Sequence, residues 1–419
     1  MRSRRFNPTC GPKTGRPWSR VMFGALLLAL FGAMGTGSAY AQAHFPGAPE
    51  DRALNLRVYP ADVWGPRAGA GLGVGLVGHH LTRPNDQWLL TAAPARYEQV
   101  ASLSYASANP RRARRYVLAN SRVLHADRDW LGPPDDRLVL GRSSMRTRVR
   151  VGPTLLDGHL LLQPHLTVEA HRVDAVQTPA PLPPTLRGVV SSIPSPGATF
   201  TGVRGGLSVQ VDTRAALDRY ETGLQVQGTW DRYAAVDGSG LRFDQVDGAL
   251  LGTLALGGLH RLDLRTGVTL TRPRGPTVVP TVLLPSIGAP LVPGWARGRF
   301  VGRDRLFGGL LYRFPLWTFG RVVTLEGHLG GHLAAAYRRV EDQFSLRLQF
   351  DDAPVTTPDV PLRPSASVGL RVAVPSRPHA HLDLALGLSP DGLSAARLSL
   401  IQPHQTLRPL HHAADHFGF

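Results

Sequence analysis

The sequence predicts an all-β fold, a transmembrane outer-membrane β-barrel of antiparallel strands, on three observations. Runs of alternating polar and apolar residues, many ten or more positions long, recur along the chain between turn clusters. An export signal opens the chain, and no second run of about 20 apolar residues follows it. The connections between runs differ in length, some very short and others long and proline-rich. Short turns on one rim and long loops on the other are the pattern of such a barrel.

The N-terminus supplies the address. Arg2, Arg4, Arg5, Lys13, Arg16 and Arg20 form a basic region without an acid, followed by the apolar run Val21 to Met34 and the small-residue sequence Ala39-Tyr40-Ala41. This order reads as a secretory signal over residues 1–41, cut before Gln42. A membrane anchor is the competing reading, but the run is short for a spanning helix. Cys10 lies ahead of the apolar run, so no lipoprotein site is indicated. It is also the sole cysteine, which leaves the mature chain without a disulfide, a thiol nucleophile or a cysteine metal site. Losing six basic residues and no acid lowers the formal charge from +17 to +11. Residues 42–53 form a short N-terminal segment.

Strand-forming patterns fill residues 54–402. Glycine and proline are too evenly spread for long helices. Leu54–Trp64 reads as the first strand. In Gly69–Gly78, glycines at 69, 71, 73 and 75 share one face, with Leu72, Val74 and Leu76 on the other. A glycine-rich phosphate loop is the competing reading, and it lacks the helix such a loop requires. Tyr97–Ser107, Arg115–Leu124, Arg137–Val151, His159–Val173 and Thr201–Val211 follow. Tyr220–Trp230, Leu241–Leu256, Leu259–Thr271, Asp304–Phe314 and Arg321–Leu333 continue the series. Ser365–Val374, His379–Leu388 and Ser394–Ile401 complete it. Such lengths exceed those of ordinary soluble strands and suit a membrane-crossing strand of about 9–11 residues. A soluble β-propeller or sandwich is the alternative; a propeller should show a repeat of about 40–50 residues, and none is seen. The proline-rich stretches Thr178–Gly197 and Gln349–Pro364 read as long loops. Residues 403–419, interrupted by Pro403 and Pro409, read as a flexible tail.

No Gly-x-Ser-x-Gly or His-Glu-x-x-His motif occurs, so no catalytic residues, cofactor or metal site are assigned and the chain is read as a non-enzyme. The tail segment His411–Phe417 is histidine-rich, but an exposed terminus is the simpler reading. Arg111, Arg112, Arg114 and Arg115 cluster at a strand start, as a rim facing anionic lipid headgroups would have them. The stretch Leu291–Arg305, LVPGWARGRFVGRDR, concentrates arginine among glycine and aromatic residues. Nucleic acid is not the expected partner of an exported chain.

Leu284 to Trp317 resembles the barrel of the bacterial surface antigen family, the BamA/TamA-like outer-membrane assembly and translocation proteins. Leu284-Pro285-Ser286-Ile287-Gly288, Gly298-Arg299-Phe300, Arg303-Asp304 and Tyr312-Arg313-Phe314-Pro315-Leu316-Trp317 follow the family's motifs in order. Looser echoes lie at Val58–Gly75 and in the last strands. The resemblance implies a barrel of sixteen strands, eleven before the Arg-rich loop and five after. A lumen that wide cannot be filled by side chains from the wall, so the loop is expected to fold inward, with Pro293, Gly294, Trp295, Arg297, Gly298, Arg299, Phe300, Arg303 and Asp304 as its residues. Tyr312, Arg313, Phe314 and Pro315 carry the family strand motif. Pro293 stands where relatives have a tip arginine, and Leu311 where they have a glutamate. Arg297 or Arg299 is the nearby candidate to supply that charge to an acidic partner on the lumen wall. Too few residues precede the first strand for the family's periplasmic polypeptide-binding domains. The implied function is outer-membrane protein assembly or translocation; the alternative is a passive pore or structural barrel. The expected partners are outer-membrane lipid and, by resemblance, unfolded outer-membrane proteins or separate periplasmic assembly proteins.

Overall fold

The computed structural model describes residues 53–60, 72–79, 86–94, 98–107, 115–131, 138–156, 159–177, 194–213, 222–288, 292–295, 300–319, 323–350, 359–374, 377–390 and 392–401. The expected signal, the rim arginines before Arg115 and the tail lie outside them.

The chain is built from strands. β1 (Ala53–Pro60), β2 (Leu72–His79), β3 (Gln87–Pro94) and β4 (Glu98–Ala106) are short, of eight, eight, eight and nine residues. β5 (Arg115–Leu131), β6 (Leu138–Leu155) and β7 (Leu160–Gln177) are about twice as long, at 17, 18 and 18 residues. β8 (Thr199–Asp212), β9 (Gly223–Ala235), β10 (Arg242–Gly257) and β11 (His260–Pro273) complete the first eleven. After two short strands, β12 (Ser286–Ile287) and β13 (Phe300–Val301), come β14 (Asp304–Phe319) and β15 (Val323–Tyr337). The accessory β16 (Phe344–Leu348) precedes β17 (Val360–Val374), β18 (Arg377–Ser389) and β19 (Gly392–Ile401).

Each strand from β1 to β11 pairs antiparallel with the next. The ladder continues β11–β14–β15–β17–β18–β19. Among the described residues the wall therefore holds sixteen strands, eleven before the long connection at residues 274–303 and five after it, as the sequence led one to expect. β3, with the sequence QWLLTAAP, was not among the named runs because it does not alternate. β17 corrects the loop reading of Gln349–Pro364: it starts at Val360 and takes in Pro361 and Pro364. Pro361 lies before the pairing with β15, where a residue that cannot donate to a ladder is tolerated, and Pro364 stands near the end of that pairing, opposite Leu333.

Connections 178–198, 274–303 and 338–359 all fall on one rim. At the opposite rim the strand ends lie closer in sequence, two to four residues apart across 156–159, 258–259, 320–322 and 375–376 and at most ten apart, across 213–222. β1 begins and β19 ends at this short-turn rim.

The burial pattern is that of a protein turned inside out. Along β9, Leu224, Val226 and Trp230 are exposed, whereas Gln225, Gln227, Thr229 and Asp231 are buried. β7 and β8 repeat this, with Leu166, Val168, Leu207 and Val209 outside and His165, Thr167, Glu169, Arg204 and Ser208 inside. An apolar exterior around a polar interior suits lipid outside and a lumen within. No helix among the described residues is long and apolar enough to cross a membrane.

Inward residues turn apolar where connection 274–303 packs on them. Ile287, Val292 and Trp295 of the connection form one cluster with Phe307 of β14 and Ala334 of β15. Val279 and Leu283 join Tyr233, Leu241 and Phe243 in another. Val301 meets Leu140 and Val173 on β6 and β7. The connection thus folds into the lumen and touches widely separated parts of the wall.

Candidate functional site: an in-folded loop held by the lumen wall

The loop is stapled into a hairpin stem by the pairing of Ser286 with Val301 and Ile287 with Phe300. Its tip docks on β17 and β18. The Ser365 hydroxyl donates to the Pro293 carbonyl at 2.6 Å. Gly294 has a φ of 102°, and a Cβ there would sit 2.6 Å from the Leu388 carbonyl oxygen and from Cβ of Ser365. Only glycine fits that approach without strain. Trp295 is fully buried and meets Phe300 edge-on, ring centroids 5.0 Å apart. Arg297, Gly298 and Arg299 lie outside the described residues. Arg303 is half-buried in the turn before β14.

Among the described residues, the arginines that hold this loop come from the wall. Arg305 of β14, also fully buried, donates from Nη1 to the Ser286 carbonyl at 3.0 Å and from Nε to Thr269 Oγ1 at 2.8 Å. The Arg363 guanidinium of β17 lies 5.6 Å from the centre of the Phe300 ring. Among the described residues, the loop contributes a backbone carbonyl and an aromatic face, and the wall contributes charge.

Arg305 is also the end of a continuous polar chain around the lumen. Arg146 of β6 donates from Nε and Nη2 to Glu169 Oε2 of β7, at 2.9 and 2.6 Å. Arg204 of β8 donates to the other carboxylate oxygen at 2.8 Å and to Gln245 Oε1 of β10 at 2.9 Å. Gln245 donates to Asp247 Oδ2 at 2.9 Å, and Thr269 of β11 donates to Asp247 Oδ1 at 2.5 Å. Thr269 in turn accepts from Arg305. Each charge is matched by an opposite charge or a dipole, the condition for burying it without a large desolvation cost. Arg204 additionally lies over the rings of Tyr233 and Phe243, which stack with centroids 4.7 Å apart. The chain joins the polar lumen to the apolar bed of the loop.

Asp304 ties the loop's exit to the rim. Its buried carboxylate accepts from the Thr271 backbone N–H at 3.1 Å, from Arg272 Nη1 at 2.6 Å and from the Val340 N–H at 2.9 Å. Val340 opens a one-turn helix, α1 (Val340–Gln343), whose N-cap Arg339 makes no side-chain cap bond. Asp304 satisfies that helix end from a neighbouring strand.

The strand-motif residues sit near the short-turn rim. The Tyr312 hydroxyl is 2.7 Å from Nδ1 of His260, and its ring stacks on Phe314 at 5.5 Å. Exposed Trp317 lies beyond them, so aromatic side chains cluster at one end of the outer face, where barrels carry an interfacial girdle. Arg313 points inward, with Nε 3.0 Å from Asp263 Oδ2. Pro315 marks a register shift in the β14–β15 ladder, as a residue without an N–H produces.

These features define an outer-membrane β-barrel with an occupied lumen. The barrel is BamA-like: the crystal structure of BamA from Haemophilus ducreyi lacking POTRA domains 1–3 matches with a TM-score of 0.52 at 13% identity, over 84% of this chain and 69% of that one. CdiB from Escherichia coli matches with a TM-score of 0.51 at 10% identity, over 83% of this chain and 66% of that one. The chain thus spans about two thirds of the length of each. No protein-family model and no curated protein matches the sequence.

Arg305, Asp247, Thr269, Glu169 and Arg204 were not singled out from the sequence. Their signal was present as charged and amide residues at alternate positions of apolar-faced strands, but their partnerships depend on register.

Proposed function

We propose that the chain acts in the assembly of outer-membrane proteins or the translocation of polypeptides, through a seam between β1 and β19 that opens toward lipid. The observation that carries this reading is the wall's discontinuity. β19 and β1 lie side by side, yet no hydrogen-bonded register links them among the described residues, whereas every other neighbouring wall pair has one. Unpaired strand edges are templates for an incoming strand. The loop, gripped by Arg305 of β14 and Ser365 of β17 and seated against Leu388 of β18, braces the wall as far as the strand beside β19, so that movement concentrates at the seam. Polypeptide partners, the signal peptide at residues 1–41 and the tail at 403–419 belong to this proposal.

The test uses proteoliposomes containing the purified chain and an unfolded outer-membrane β-barrel as client. The chain is expected to accelerate client insertion, read as heat-modifiable gel mobility. A cysteine pair bridging β1 and β19 is expected to abolish the acceleration when oxidised and restore it when reduced. Unchanged insertion in the oxidised form overturns the seam mechanism. No acceleration, with steady open-state conductance in a planar bilayer, assigns the chain as a passive pore instead.

A further inference from the structure

The connection between β15 and β17 carries an apolar face that the barrel does not use. β16 reads FSLRL, and with Phe350 two residues on, Phe344, Leu346, Leu348 and Phe350 fall at alternate positions. All four are exposed, Leu346 at 76% and Phe350 at 68%. Four large apolar side chains on one edge of a rim segment form a patch, not scattered surface residues.

Register fixes the side on which the patch lies. β16 pairs parallel with the first residues of β17 at two points, Phe344 opposite Val360 and Leu348 opposite Leu362, with an even, two-residue register shift between them that keeps both pairs on one face. Side chains opposite each other in a ladder share a face. Leu362 in turn shares the parity of Val368 and Leu370, which are exposed on the lipid side of β17. Leu362 itself is buried, in a cluster with Ala335 and Tyr337 of β15 and with Leu306, Leu333 and Val340 packed against it. Tyr337 meets the Phe344 ring at 6.5 Å. The segment α1–β16 therefore lies against the bilayer side of the wall at the long-loop rim, and its apolar face continues the lipid-facing band upward.

We propose that β16 is a membrane-seated strap whose Phe344, Leu346, Leu348 and Phe350 insert among the acyl chains of the leaflet at the long-loop rim. The occupant follows from continuity: the same face, a few residues further along β17, is already the lipid face of the barrel. Arg347, exposed on the alternate side of β16, stays in water. This inference rests on the fold and stands independently of any role in assembly or translocation.

The test exploits the sole cysteine, Cys10, whose replacement by serine gives a cysteine-free background. Leu346→Cys, Phe350→Cys and Arg347→Cys are each labelled with an environment-sensitive fluorophore, and the full chain is placed in phosphatidylcholine vesicles containing nitroxide-labelled lipid. Heat-modifiable mobility verifies that each variant is folded. Labels at 346 and 350 are expected to emit at shorter wavelength, with nitroxide quenching at least twofold stronger than at 347, while iodide quenches 347 preferentially. Equal iodide quenching at all three positions places the strap in water and overturns the proposal. Labels at 346 and 350 shielded from both quenchers place a protein surface there, a second copy or a partner, and overturn it equally.

Discussion

Nε2 of His165 on β7 lies 2.5 Å from Oδ1 of Asp231 on β9, although β8 runs between the two strands. The reach is made across Gly206, the residue opposite both His165 and Asp231 in the two ladders. A Cβ at Gly206 would clash with the Trp230 carbonyl oxygen and sit 2.7 Å from the Asp231 oxygen and 2.8 Å from the histidine nitrogen. Both side chains are fully buried, so the pair locks three consecutive strands from the lumen side. Gly206→Ala is expected to cost about 1–3 kcal/mol by overpacking. His165→Ala, which leaves the Asp231 carboxylate buried without this partner, is expected to cost about 3–5 kcal/mol. Urea unfolding followed by heat-modifiable mobility measures both, and a change below about 0.5 kcal/mol, typical of an indifferent surface site, refutes the lock.

Arg305→Ala severs the link between wall and loop at the Ser286 carbonyl, together with the bond to Thr269 of β11 that orients the guanidinium. The barrel is expected to fold and keep its heat-modifiable mobility, but planar-bilayer recordings are expected to show larger and more frequent openings. Arg305→Lys keeps the charge but not the two divergent donors, and is expected to fall between parent and alanine variant. Identical recordings from all three would remove Arg305 from the retention of the loop.

Gly294→Ala tests the docked tip. A side chain there combines backbone strain of about 1–3 kcal/mol with a clash against the Leu388 carbonyl. Ser365→Val removes the donor to Pro293 and is expected to cost about 1 kcal/mol. Limited proteolysis from the long-loop side is expected to cut near residue 294 faster in both variants, and most in the glycine replacement.

Arginine scanning of the outer face separates lipid from water as its solvent. Leu207, midway along β8, and Leu224, at the end of β9 near the short-turn rim, both face outward. Leu207→Arg is expected to cost about 2–4 kcal/mol in a bilayer and Leu224→Arg about 0–1 kcal/mol. Equal, negligible costs would place that face in water.

Alternation revealed the wall, because lipid outside and a polar lumen inside enforce a period of two along strands such as β7 to β9. The place of the in-folded loop between the eleventh and twelfth strands followed from its motifs. What holds the loop was not legible. Arg146 and Glu169 are 23 positions apart and Arg204 and Gln245 are 41 apart, so their contacts exist only once register is known. Arg297 and Arg299, the expected reach from loop to acidic wall, lie outside the described residues; the described contacts run from the wall, with Arg305 and Arg363 reaching inward to a carbonyl and a ring. β16 stayed hidden beside the proline-rich connection because FSLRL is short and pairs with only a few residues of β17.

The unequal strand lengths make the barrel a hoop with staves of two heights. Bending resistance at any joint scales with the number of inter-strand bonds across it, so the tall joints among β5, β6 and β7 act as a rigid spine. Among the described residues, the joints among β1 to β4 are the lower ones and form the more compliant arc. Lateral bilayer pressure, spread evenly around the circumference, is expected to deform that arc before the rest. The cross-section can ovalise there while the quadrant bearing Glu169 and Arg204 keeps its curvature.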